Sequence, residues 1–214
     1  MEDLVLASKN LCVAILSVAV LCLALSSSAF ADSVVCNNLG PGGTHSSSTF
    51  AVTNAQQLAT SCVGNGLFLT EIDIPLTNWG GNNSIIVELL PDLSGMPNAS
   101  IVLEQWLVTN IPTYPTSQLF QLTSNLHPFL ASGVTYWVAA FPASSAYTHI
   151  GWNYSSAGFL GFAITSNPSN GWNFDVSESP GVTVTGHTPE PSSLLLLGSG
   201  LAAAAGLARR KLRK

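Results

Sequence analysis

Hydrophobic residues are distributed along this chain in three regimes. From Leu11 to Leu25 nearly every position is apolar. Lys9 precedes that run, and small residues ending in Ala29-Phe30-Ala31 follow it. A positive residue, an apolar core and an A-x-A site predict an N-terminal export signal cut after Ala31. Cys12 and Cys22 leave with it. At the other end, Leu194 to Ala208 contains only Leu, Ala, Gly and Ser, and Arg209-Arg210-Lys211-Leu212-Arg213-Lys214 closes the chain. This second run predicts a helix over 193–208. At about 1.5 Å per residue it spans roughly 22 Å, short against a hydrocarbon core of about 30 Å. The basic tail is expected to stay in the cytoplasm, which leaves the residues before it outside.

Between the two runs, apolar residues come in short bursts separated by Gly, Pro, Asn and Ser. That pattern predicts strands rather than helices. The candidate strands are 49–53, 57–62, 67–76, 84–90, 100–108, 118–123, 134–141, 149–154, 159–165 and 182–185. In the third, period-two alternation puts Phe68, Thr70, Ile72 and Ile74 on one face and Leu69, Glu71 and Asp73 on the other. Trp79-Gly80-Gly81-Asn82-Asn83 and Asp92-Leu93-Ser94-Gly95-Met96-Pro97 carry the residues of hairpin turns. The predicted fold is all-β: an antiparallel, jelly-roll-like β-sandwich over 32–187, flanked by a signal helix in 1–31 and a transmembrane helix in the C-terminal segment 188–214.

Charge sharpens this picture. Every Lys and Arg lies at position 9 or beyond position 208. The exported stretch keeps Asp32, Glu71, Asp73, Glu88, Asp92, Glu104, Asp175 and Glu178, a formal charge of about −8 with neutral histidines. Without a cation it has no basic patch for nucleic acid. It also has no Lys for a Schiff base and no clamp for phosphate. No G-x-S-x-G, H-E-x-x-H, phosphate loop or dinucleotide fingerprint is present. The expectation is a non-enzymatic domain without cofactor or metal.

The C-terminal residues carry a more specific message. Pro189-Glu190-Pro191 holds an acid extended between two fixed φ angles. Ser192-Ser193 follows as a helix cap, then the apolar run and the cations. This order resembles the PEP-CTERM sorting signal of Gram-negative bacteria. The resemblance implies recognition by an exosortase near Pro189, Glu190 and Pro191, after export through the Sec translocon. It further implies passage through an inner-membrane intermediate to the cell surface or an exopolysaccharide-rich extracellular matrix. A permanently anchored, unprocessed ectodomain is the alternative. Asp92-Leu93-Ser94-Gly95-Met96-Pro97-Asn98, the stretch Leu130–Val138 and the approach to Thr185-Gly186 resemble the choice-anchor type of β-sandwich ectodomain found in such proteins. That likeness implies a surface-anchored domain without catalytic residues.

Few residues within the domain suggest chemistry. Cys36 and Cys62 are the two cysteines of the mature stretch, and an oxidising compartment favours a disulfide over two buried thiols. Glu71 and Asp73 share a strand face, which reads as a solvated face rather than a Ca²⁺ site. Asp92 reads as an Asx-type turn residue. The four histidines are scattered and carry no ligand pattern. The five tryptophans, with the tyrosines, offer a carbohydrate-stacking alternative for the domain, because aromatic rings combine an apolar face with a polar handle. Trp106 and Trp137 sit in apolar runs and read as core. Trp79, Trp152 and Trp172 lie near Gly, Asn and Ser and are the candidate glycan contacts.

Overall fold

The fold was described from a computed structural model, which defines residues 32–158, 160–166 and 171–188, together with Gly198. The predicted signal with Ala29 and Ala31, the Pro189-Glu190-Pro191 triplet and, apart from Gly198, the predicted C-terminal helix lie outside the described residues. Among the described residues no helix is long and apolar enough to cross a membrane.

The regular structure of the described chain is almost entirely strand, in the order β1 (Asp32–Asn37), β2 (His45–Thr53), β3 (Gln57–Val63), β4 (Leu67–Gly81), β5 (Ser84–Leu93), β6 (Met96–Pro97) and β7 (Glu104–Thr109). Then come β8 (Gln118–Thr123), β9 (Phe129–Leu130), β10 (Thr135–Pro142), β11 (Thr148–Ser155), β12 (Leu160–Thr165), β13 (Asn173–Glu178) and β14 (Thr183–His187). Their pairings are antiparallel throughout. One sheet runs β1-β14-β4-β11-β2, with β8 and β9 also on β4. The other runs β13-β12-β3-β10-β5-β6, with β7 on β5. The two-sheet, all-β prediction holds, and each of the ten candidate strands is present.

The 15-residue β4 organises the first sheet. Asp73 pairs with both Thr183 and Gln121, and Leu76 with both Trp152 and Gln118. Strands β14 and β11 therefore follow one another along one edge of β4, while β9 and β8 line the other. The predicted faces of this strand need correction. Leu69 is fully buried, as are Ile72, Ile74 and Leu76. The pairing with β14 slips between Glu71 opposite Thr185 and Leu69 opposite Gly186. The extra residue at this bulge changes which parity faces the core.

The second correction concerns the connection after β4. Residues 79–83 do not close a hairpin, because β4 and β5 belong to different sheets. Strand β4 continues through Gly81, and the chain crosses between layers at Asn82-Asn83. The other turn is a hairpin as expected: Leu93 pairs with Met96. Ser94 and Gly95 between them have φ of 57° and 83°, the two positive angles of a type I′ turn.

The core fills the space between the layers with Leu69, Ile72, Ile74, Val87, Leu89, Val138, Ile150, Trp152 and Phe162, among others. A second apolar cluster lies on the other face of β3, β10 and β12. Ala59, Trp137, Ala139 and Ala163 are buried there against Met96, Ala99, Phe141 and Trp172. Strand β10 is thus apolar on both faces, which explains its unbroken hydrophobic run.

Cys36 and Cys62 are bonded, with Cα atoms 5.8 Å apart. The bond ties β1 of one sheet to β3 of the other. In the chain-entropy description a closure of this length stabilises by about 3–4 kcal/mol.

Candidate functional site

The far end of β4 carries an open aromatic cluster. Trp79 is 41% exposed and Tyr114 is 52% exposed. Their rings stack at 4.0 Å between centroids and 20° between planes. His149 lies beside the indole at 6.4 Å and 26°. Tyr147 extends the cluster, its hydroxyl 3.4 Å from His149 Nδ1.

Each member is held in place. The Trp79 indole N–H donates to Thr49 Oγ1 at 3.1 Å. Thr49 belongs to β2 and Trp79 to β4, with β11 between them, so the indole bridges the intervening strand. Gly151 sits on that strand, opposite Thr77 and Ala51. A Cβ at position 151 would fall 2.6 Å from Thr49 Oγ1, so the bare backbone there keeps the acceptor within reach of the indole. Tyr114 is delivered by a loop clamped to the strand. Its N–H donates to the Asn78 carbonyl at 2.9 Å, and the Asn78 N–H donates to the Pro112 carbonyl at 2.7 Å. On the other side, the Asn82 side chain donates to Ser144 Oγ at 3.0 Å, and its backbone N–H donates to the Tyr147 carbonyl at 2.7 Å. The cluster is rimmed by hydroxyl and amide groups.

The other candidate tryptophans separate from Trp79. Trp152 is completely buried, and its indole N–H donates to the Gly181 carbonyl at 2.8 Å. It belongs to the core and is withdrawn as a glycan contact. Its neighbours Gly151 and Asn153 are loop-like in type, but by strand alternation they face the opposite side. Trp172 is half-buried, edge-on to Phe141 at 6.1 Å, and its buried indole N–H has no hydrogen-bond partner. It lies against the second apolar cluster, on the other sheet from Trp79, so the two do not form one surface. Trp137 is buried as expected. Trp106 is half-buried, with its N–H on the Thr123 carbonyl at 2.8 Å.

The tyrosines and His149 were visible only as members of a pool. A Tyr between Pro112 and Pro115 is a local hint of an aromatic held out on a stiff loop. Nothing in the sequence links it to Trp79, because their stacking depends on the Asn78 clamp.

Carboxylates occupy three kinds of setting. Asp73 and Glu71 lie two residues apart on β4. Burial, then the neighbouring Glu71 charge, push the Asp73 carboxyl up to about 6, partly offset by a Gln121 hydrogen bond. One Asp73 oxygen is buried without a partner. Desolvation also raises Glu88 above the usual carboxylate range. Glu104 is buried but well supplied with donors. Ser124 Oγ donates at 2.5 Å, and the Asn125 and Leu126 N–H groups at 2.6 and 3.2 Å. It pins the turn after β8 and has a structural task. Asp92 accepts the Gly95 N–H at 2.9 Å, the expected turn role, and also the Trp137 indole N–H at 2.8 Å.

A cleft of about 270 Å³ lies over the disulfide, lined by Asn37, Asn38, Thr60 and Ser179 among others. Its polar groups are largely committed to one another. Thr60 and Ser179 share a hydrogen bond of 2.8 Å, and the Asn38 amide donates to the Pro180 carbonyl at 2.9 Å. Such a closed network ties the two sheets together at this seam and leaves little for a ligand.

Comparison with known proteins speaks to the C-terminal end. No curated protein and no solved structure matches the chain. The family described as the PEP-CTERM protein-sorting motif matches residues 187–214, which begin at the last residue of β14. The chain therefore carries a PEP-CTERM protein-sorting motif directly after its β-sheet domain.

Proposed function

We propose that this chain is an exported protein that an exosortase processes near Pro189-Glu190-Pro191. Its all-β ectodomain is a non-catalytic component of the cell surface or of an exopolysaccharide matrix. The observation that carries this reading is the sorting motif over 187–214. The N-terminal apolar run ending at Ala29-Phe30-Ala31 agrees with export through the Sec translocon. The disulfide fits an oxidising compartment. The buried acid Glu104 is saturated by structural hydrogen bonds, in keeping with a non-catalytic role.

The choice-anchor likeness rests on its sequence segments alone, while the jelly-roll reading also has structural support. Consecutive strands β2 to β5 and β10 to β12 alternate between the two sheets, as jelly-roll connections do.

The test is processing in the native host. Replacing Pro189, Glu190 and Pro191 by alanine is expected to leave a longer, membrane-retained form. Unchanged processing of the variant would sink the sorting reading, whereas a parent chain that is itself never shortened would point to the permanently anchored ectodomain. A second reading, in which the ectodomain itself binds carbohydrate, is favoured by the exposure of Trp79.

A further inference from the structure

We propose that Trp79, Tyr114, His149 and Tyr147 form a binding surface for a neutral, β-linked pyranose chain. This rests on the carbohydrate-binding reading and specifies its site and ligand class. Three observations converge on it.

The first is open aromatic area. Trp79 and Tyr114 stack on one another, yet 41% and 52% of their surfaces remain exposed, and Tyr147 is 66% exposed. The Tyr114 and His149 planes lie 20° and 26° from the Trp79 indole plane. A near-parallel set suits a ligand with flat apolar faces. Pyranoses with equatorial hydroxyls and equatorial linkages have such faces, because their C–H bonds are axial. Aromatic side chains offer the complementary surface together with a polar handle.

The second is rigidity. The indole N–H is fixed on Thr49, the Tyr114 backbone on Asn78 and the Tyr147 carbonyl on the Asn82 N–H. A surface already ordered in the free protein loses little freedom on binding.

The third is charge. The cluster and its rim consist of aromatic, imidazole, hydroxyl and amide groups. The domain around it has no Lys or Arg and carries eight carboxylates. A polyuronate or sulfated chain would meet repulsion with no cation to offset it, so an anionic polymer is disfavoured, and the hydroxyl and amide rim suits an uncharged one.

The test is calorimetric titration of the full-length chain with cellohexaose, a neutral β-1,4-linked glucose oligomer. A zwitterionic, sugar-free detergent avoids competition from detergent headgroups. Saturable binding is expected, with a shift of the Trp79 indole N–H resonance and none for the buried Trp152. Trp79→Ala and Tyr114→Ala should each weaken binding at least about tenfold, and Tyr114→Phe should retain it. Dispersed Trp152 and Trp137 indole resonances report that a variant is folded; if Trp79→Ala does not fold, the Tyr114→Ala and Tyr147→Ala pair decides the matter. A polyuronate should not bind, and equal binding of a polyuronate would overturn the assignment to neutral chains. Cellohexaose binding that survives both Trp79→Ala and Tyr114→Ala would overturn this site while leaving carbohydrate binding elsewhere on the domain. Absence of saturable cellohexaose binding would overturn this assignment, and absence of any binder on a glycan array would overturn the carbohydrate reading as well.

Discussion

Two tryptophans of similar sequence surroundings have opposite fates, and their energetic roles should differ accordingly. Trp152 fills the space between the sheets and satisfies its N–H on Gly181. Truncation to alanine removes a large buried ring and is expected to cost about 3–5 kcal/mol. Trp79→Ala should cost about 1 kcal/mol or less, since much of that ring already faces water. Urea denaturation of the two variants measures the difference. Asp73 gives the molecule a pH dependence of definite sign. Its carboxyl is raised from 3.8 to about 6 in the folded protein, so the fold holds this proton more tightly than the unfolded chain does. The associated stability is fully present below the unfolded value and is lost as pH rises from about 4 through 6. Denaturation midpoints at pH 4.5 and 7.5 should show this trend, and Asp73→Asn should flatten it while stabilising the neutral form. The group is partly solvated, so the gain is on the order of 1 kcal/mol. A variant as pH-dependent as the parent would assign the trend to other carboxylates such as Glu88.

At the level of strands, the sequence announced those elements that bury one face and hid those that do not. Ten candidate strands appear because alternation of apolar and polar residues follows from a buried face. Strand β13 is exposed at five of its six positions, so it has no alternation to read. Strand β1 is similar, an edge strand defined by pairing with β14 rather than by its own side chains. Strands β6 and β9 have two residues each, too few to establish a period. The bulge at Thr70 shows the limit of the rule inside a well-predicted strand: one extra residue reverses the face of everything after it. The same parity argument recovers Trp152. Ile150 and Trp152 share the core face, and the loop-like Gly151 and Asn153 belong to the other side. Of the aromatic surface, Trp79 could be picked out in advance, but its partners come from a distant loop and from β11. The link between β1 and β3 has its own consequence. Serine at Cys36 and Cys62 should lower stability by about 3–4 kcal/mol, read from the denaturation midpoint with and without the bond. A negligible loss would mean that the hydrogen-bonded seam at Asn38, Thr60 and Ser179 suffices to hold the layers.

For the molecule as a whole, the distribution of charge and apolar length explains more than any single side chain. A stretch from 32 to 208 without Lys or Arg contains no tryptic site. Trypsin should therefore leave it uncut even in denaturant, and a fragment ending inside it by mass spectrometry would contradict that expectation. The same stretch cannot neutralise its own carboxylates internally, which favours a neutral environment or divalent cations in the medium. Its β-sheet domain gives way directly to the sorting motif at residue 187, so folding and sorting are assigned to separate stretches of chain. The central claim is that this second stretch is removed once it has delivered the first. The most direct test is the intact mass and location of the protein from its native host, followed through a tag inserted in the exposed turn at Ser94-Gly95. The account predicts a chain starting at Asp32 and ending near residue 190, with the tag outside the inner membrane. A mass that still includes Lys214, with the tag in the membrane fraction, would contradict it.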